Sequence, residues 1–378
     1  MNRLKLGILA FAMGGFMTAC QSEYDIIENG VYLTDAQSSQ AKRITIDETG
    51  AVTGISSRLG APAVQDVTVS YGADAAALQA YNTKNGVDYQ LLPEKYYSFS
   101  SSQATIKAGE VSSAPVELVI HPFDEGIDVT KKYAVPVSIV SASGAELLKA
   151  SSSLMVLIDQ VVVTTVLRLE SGNTISINLP EPLSGLGAWT LEWNLRRDDF
   201  NRNNVTQWNL KGADDKAVVY TRFGDVTCEP NQFQAKVGAG KPQSVTRFTP
   251  NKWYHLAFTY DGTNLRLYVD GKLDFTYPHA TPGEVFTVNT IQFGNASASY
   301  TLKGQVSELR VWSVARSQAE IENNMYVVSP DSPGLEVYWK CNEGSGRVIK
   351  DHSGHGRDGQ LSRDATWEEG VRFPDTEE

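Results

Sequence analysis

The chain reads as all-β, two β-sandwiches in series, and three observations predict it. Apolar and polar residues alternate in short runs such as Val116-Glu117-Leu118-Val119-Ile120 and Trp189-Thr190-Leu191-Glu192-Trp193-Asn194-Leu195, the period of a strand with one buried face. Turn residues punctuate these runs, as where Leu265 to Val269 meets Asp270-Gly271, a strong hairpin signal. All seven tryptophans follow residue 188, so composition divides a chain that no Gly/Ser linker or charge run divides. A length of 378 residues accommodates two domains.

The amino terminus reads as an address. Arg3 and Lys5 precede the uncharged run Leu6 to Phe16, too short for a membrane-spanning helix, which needs about 20 residues, and suited to a secretory signal. Met17-Thr18-Ala19-Cys20 resembles the bacterial lipobox. That resemblance implies a signal peptide over 1–19, lipid attachment at Cys20 and a tether over 20–30. Gln21 is not the aspartate that often retains lipoproteins at the inner membrane. The short acidic tract around Glu23 and Asp25 resembles the surface-export signal of glycan-foraging gut-type bacteria, implying an outer-membrane anchor facing the cell exterior. Net charge is −11 and becomes −13 once Arg3 and Lys5 leave. Such a balance argues against a nucleic-acid partner and leaves the membrane to be met through lipid alone.

The first domain is expected over 31–160. Val67 to Ser70, Ala104 to Ile106, Val116 to Ile120, Val135 to Ile139 and Leu154 to Ile158 read as strands at sandwich spacing. One helix interrupts them, N-capped by Asp74 and closed by Gly86. Tyr81-Asn82, Asn85-Gly86, Tyr89 to Tyr96, Ile106 to Glu110 and Tyr133 to Ile139 resemble an immunoglobulin-like β-sandwich of unassigned function that follows the lipid anchor in surface glycan-handling lipoproteins. The resemblance implies a spacer module.

The second domain is expected over 161–378. Its one convincing helix is Ser317 to Met325, where Ser317 and Glu320 have capping-box spacing. Trp253 to Gly262 followed by Leu265 to Gly271, Gly304 to Trp312 followed by Ala315-Arg316-Ser317, and Tyr338 to Gly359 resemble a laminin-G, concanavalin A-like jelly roll. The last motif often opens such domains and here closes one, a permutation that sandwiches tolerate because their chain ends lie close together.

Concanavalin A-like folds also host glycoside hydrolases, which need two carboxylates facing one bond. The Glu-x-Asp-x-x-Glu spacing of their β-glucanase branch is absent from the second domain. Asp198-Asp199, Asp214-Asp215 and Glu368-Glu369 are adjacent pairs, which a strand would point to opposite sides. No serine lies in a Gly-x-Ser-x-Gly elbow, and His255 sits in the family's Trp-x-His motif as a packed residue. The Gly-rich loop Asp351 to Gly359 is the candidate calcium site, through Asp351 or Asp358; otherwise no cofactor is expected. In a strand Ala217 to Phe223, Val218, Tyr220 and Arg222 share one face. With Trp208 after the polar loop 201–204, Tyr220 and Arg222 form the candidate ligand surface, since sugar sites pair aromatic faces with fixed polar groups. Cys228 and Cys341 are available to pair in an oxidising compartment.

The sequence therefore predicts a non-catalytic surface lipoprotein, a glycan- or glycoprotein-binding accessory of a polysaccharide-utilisation system, with outer-membrane glycan-uptake proteins as candidate partners. The alternatives are a hydrolase with a non-standard carboxylate pair and a protein-adhesion module.

Overall fold

A computed structural model describes residues 29–375 except Glu125 and Ala298. The signal segment and Cys20 lie outside the described residues. The strands fall into sheets that change over between Gln160, the last residue of one strand, and Val162, the first of the next. A single residue, Val161, joins the two sandwiches.

In the first sandwich, one sheet runs Ala41–Ile46, Ser153–Gln160, Tyr133–Ser143, Val67–Ala73, Gln103–Ile106, with Gln90–Leu91 added on Tyr133–Ser143. Its inward residues, such as Val69, Val137 and Val156, meet Ile55, Leu118 and Ile120 from the facing sheet of Ala51–Ile55, Val116–Ile120 and Tyr97–Phe99. Helix α1 (Ala75–Asn85) covers the other face. The Asp74 carboxylate accepts from the amides of Ala76 and Ala77, and Gly86 closes the helix at φ 65°, a left-handed turn that glycine adopts without Cβ strain. Leu78 of α1 packs with Tyr89, Ala134, Met155 and Leu157.

The second sandwich is a jelly roll of eight and seven strands. The larger sheet runs Lys272–Pro278, Asn264–Val269, Trp253–Tyr260, Trp189–Arg197, Gly304–Trp312, Val162–Leu169, Thr366–Phe373, and Leu335–Trp339 also pairs with Gly304–Trp312. Its first and last strands in sequence are neighbours, Val162 opposite Phe373, which is the closeness of ends that the permuted motif needs. The smaller sheet runs Cys228–Val237, Ala217–Asp225, Val205–Lys211, Phe286–Gly294, Thr174–Leu186, Gly359–Leu361, Val348–Ile349. Between them lies an aromatic core in which Trp193 meets Trp208 edge-to-face at 6.2 Å and Trp208 meets Phe293 at 5.0 Å, the geometry that ring quadrupoles favour.

One strand departs from its pattern. Trp189–Arg197 alternates as if one face were wet, yet Thr190, Glu192 and Asn194 are all buried. Helix α2 (Gln318–Asn323), held by the Ser317/Glu320 capping box, and the chain that follows it return over this face. Ile321 of α2 packs on Ala257 and Tyr268, and Val328 joins Trp312, Leu335 and Tyr338. Asn323 at the end of α2 also accepts from Arg43 (2.6 Å) and Tyr89 (2.8 Å) of the first sandwich. Arg372 and Glu48 approach to 3.5 Å across the same junction.

Candidate functional site

The covered face of the eight-stranded sheet carries a charge network. The Glu192 carboxylate accepts from Arg316 at 2.6 Å and from Arg310 at 2.8 Å. Arg310 also pairs with Glu308, to which Tyr338 donates at 2.6 Å. The guanidiniums bind the cover itself: Arg310 donates to the Asn324 carbonyl (2.8 Å) and Arg316 to that of Glu320 (3.0 Å). Burial alone would push the Glu192 carboxyl up, but the guanidiniums of Arg316 and Arg310 outweigh it and hold the group well below the usual carboxylate range. Glu192 and Glu308 are thus two carboxylates on one face, locked onto a shared arginine under α2. Their contacts describe a buried clamp.

Among the described residues, nothing returns over the Tyr220 stretch on the outer face of the seven-stranded sheet. Along Ala217–Asp225, Val219, Thr221 and Phe223 are buried while Val218, Tyr220 and Arg222 are half-buried and face outward. They line a groove of about 770 Å3 together with Asp225, Lys236, Lys241 and Glu284. Tyr220 shares a 2.7 Å hydrogen bond with Thr206, which also accepts from Asn295 at 2.9 Å. The Arg222 guanidinium lies 5.8 Å from the Tyr220 ring centroid, donates from Nε to Gln234 at 3.0 Å, and engages Asn204 and Asp225. An aromatic ring is therefore fixed at its hydroxyl and flanked by a guanidinium whose plane is set by three partners. This arrangement can stack on an apolar sugar face while polar neighbours meet its hydroxyls. Of the groove carboxylates, Asp225 is paired with Arg222 and Glu284 with His279 at 2.6 Å.

Two expectations need correction, and the open question of the cysteines is answered. Trp208 does not join Tyr220 and Arg222: it is 0% exposed in the core. The pairing register shifts between Thr206 and Asn209, and this irregularity lets Thr206 face the groove while Trp208 faces Trp193 and Phe293. Leu210, two residues on and also buried, was the available signal that position 208 points inward. Asp351 and Asp358 do not form a calcium site. Asp351 accepts from the amides of Tyr338 (2.9 Å), Ser353 (3.0 Å) and Arg357 (2.9 Å) and from the Ser353 hydroxyl (2.8 Å). Asp358 accepts from the Asp351 amide (2.9 Å) and pairs with Lys350 (2.6 Å). These carboxylates meet N–H and O–H donors, which hold the Gly-rich loop closed. Among the described residues, no three His, Cys, Asp or Glu side chains cluster to hold a metal ion. Cys228 and Cys341 are both buried free thiols and do not pair. Sequence reasoning also missed the partners that fix Arg222, namely Asp225 three positions on in the same strand, Gln234 on the paired strand and Asn204 just before Val205, which carry no shared motif.

Residues 171–322 match the model of the concanavalin A-like lectin/glucanases superfamily, in its laminin-G form. The second domain belongs to that superfamily. Residues 27–146 match the model of an N-terminal domain family. Among solved structures, a candidate carbohydrate-binding protein from Bacteroides ovatus aligns over 90% of this chain and 97% of its own, with 23% identity and a TM-score of 0.53. It shares the fold through both domains. A heptameric SAP-like pentraxin from Limulus polyphemus aligns over 42% of this chain and 80% of its own, with 14% identity and a TM-score of 0.36. Pappalysin-1 of Mus musculus is 31% identical over 83 residues, 21% of this chain. This chain spans only 5% of that curated relative's length.

Proposed function

We propose that this protein is a lipid-anchored glycan-binding protein of the outer membrane, displayed outward, whose groove on the seven-stranded sheet holds the glycan without cleaving it. The observation that carries the reading is the outward pair Tyr220 and Arg222, each fixed by hydrogen bonds on the uncovered face of the domain. The description of the Bacteroides ovatus relative as a candidate carbohydrate binder supports the ligand class. The lipobox-like Met17 to Cys20 supports the anchor. The groove carboxylates support a binding role, because their charges are already engaged by Arg222 and His279. In this reading the first sandwich, joined through Val161 alone and tied to α2 through Asn323, holds the groove at a set angle above the membrane.

The test is a glycan array and affinity electrophoresis on the chain beginning after Cys20, with and without calcium. We expect retardation by at least one polysaccharide, unaffected by a chelator, and a loss of about tenfold or more in affinity (roughly 1.4 kcal/mol) in Tyr220→Ala. Silence across plant and host glycans would sink the reading. Cys20→Ser in the full chain is expected to move the protein from the membrane fraction to the soluble one.

A further inference from the structure

Helix α2 and the chain after it leave one end of the eight-stranded sheet open. A pocket of about 360 Å3 lies there, on the far side of the sandwich from the Tyr220 groove, lined by Trp253, His255, Asn194, Tyr326, Phe373 and Asp270. That volume is at the small end of ligand sites, which start near about 300 Å3.

Asn194 and His255 at its floor belong to a row of polar side chains that continues beneath the cover across three adjacent strands, with Asn194 opposite both His255 and Ser307. Asn194 is 1% and His255 2% exposed, and Ser307 is equally buried. Asn194 Oδ1, the Ser307 hydroxyl and both ring nitrogens of His255 have no hydrogen-bond partner. His255 Nε2 stops 3.9 Å from the Glu192 carboxylate, beyond direct hydrogen-bond range. Buried polar groups are nearly always paired, and each one left unpaired costs about 1–3 kcal/mol. Such atoms in one row, with Asn194 and His255 at the floor of an open pocket, point to a partner that arrives from outside.

The walls say what kind. Trp253, two residues before His255 on the same strand, shares its face. Its ring meets Phe373 edge-on at 4.9 Å, and Tyr326 stacks on Phe373 at 5.4 Å. Burial pushes the His255 imidazole down, so at neutral pH it offers one donor and one acceptor. Asn194 offers an acceptor. In the lining, the carboxylates of Asp375 and Asp270, the latter accepting from the His255 amide at 2.8 Å, outnumber the single ammonium of Lys252, which disfavours an anion. Groups that both donate and accept, on a scaffold with one apolar face, satisfy this set: hydroxyls on a ring.

We propose that this pocket is a second ligand site, for one neutral saccharide ring stacked on Trp253 with its hydroxyls on Asn194 and His255. It is separate from the groove and stands or falls apart from it.

The test titrates glucose, galactose, mannose, xylose and N-acetylglucosamine into the soluble mature chain. The readouts are the His255 imidazole nitrogen resonances and tryptophan fluorescence. We expect a saturable shift of His255 with at least one sugar, retained in Tyr220→Ala and weakened about tenfold or more in Trp253→Ala. Trp253→Leu keeps an apolar group against Phe373 while removing the ring, and is expected to lose affinity equally should the alanine variant fail to fold. No His255 shift with any of the five sugars overturns the proposal. So does a shift that survives both Trp253 variants. A shift lost in Tyr220→Ala assigns the binding to the groove, supporting that site and overturning this one.

Discussion

Replacing Glu192 with glutamine tests whether the clamp holds α2 onto the sheet. The carboxylate is 0% exposed and shared by two arginines, at 2.6 Å and 2.8 Å. Glutamine keeps the volume but offers one acceptor and turns an N–H group toward a guanidinium. Arg310 retains Glu308, whereas Arg316 loses its carboxylate partner and remains buried. Removing one partner of a buried pair costs about 3–5 kcal/mol, because the other charge stays desolvated. For a domain of about 200 residues, each kcal/mol moves Tm by about 2–4 °C, so a fall of roughly 6–20 °C is expected. Tryptophan fluorescence during urea titration is the assay. It reports the second domain alone, since no tryptophan precedes Trp189. The pH dependence has a definite sign. A carboxyl held below its usual range stabilises the fold above its unfolded value of about 4.3 and loses that contribution as pH falls. The gap between wild type and Glu192→Gln should therefore narrow below about pH 4. A cost under about 1 kcal/mol at neutral pH would refute the clamp and make Glu192 an ordinary packed group.

Trp208→Ala should behave as a core deletion, losing about 3–5 kcal/mol by urea titration. Glycan affinity of its folded fraction should match wild type by affinity electrophoresis, whereas a selective affinity loss at unchanged stability would return Trp208 to the ligand surface. At the domain junction, burial first and Asp159 second push the Tyr89 phenol up to about 12, although Arg43 opposes them. An acid whose folded value is raised stabilises the fold below its unfolded value of about 10 and loses that contribution as pH rises through about 12. We expect on the order of 2 kcal/mol to disappear over that window, measured by urea titration. Tyr89→Phe should flatten the alkaline loss while giving up the hydrogen bond to Asn323, worth about 1 kcal/mol.

Much of the fold was legible because its signals are local. Strand alternation depends on the two-residue pleat, so Ala217 to Phe223 revealed from sequence that Tyr220 and Arg222 share a side. Helix caps are equally local, and Asp74, Gly86, Ser317 and Glu320 take the roles their spacing implies. Where the pleat is interrupted, the reading failed. The shift between Thr206 and Asn209 sent Trp208 inward. A second irregularity, at Glu308 with φ 57°, lets Ser307 and Arg310 face the same way although they are an odd number of positions, three, apart. The Asp351 loop failed for another reason: acidic residues near glycines suit a cation or a ring of amide donors alike, and only the folded loop shows the amides in place.

The sequence by itself determined the all-β class, the division near residue 160, and the sidedness of the Tyr220 strand, because each follows from the chemistry of neighbours a few residues apart. Only the tertiary structure decided which sheet face stays open. Helix α2 returns from beyond Trp312 to cover Glu192, and the first sandwich docks against Asn323. The described residues leave the Tyr220 groove open and expose one end of the Asn194–His255 row. Alternation shows which way a side chain points; what meets it there depends on residues more than a hundred positions away.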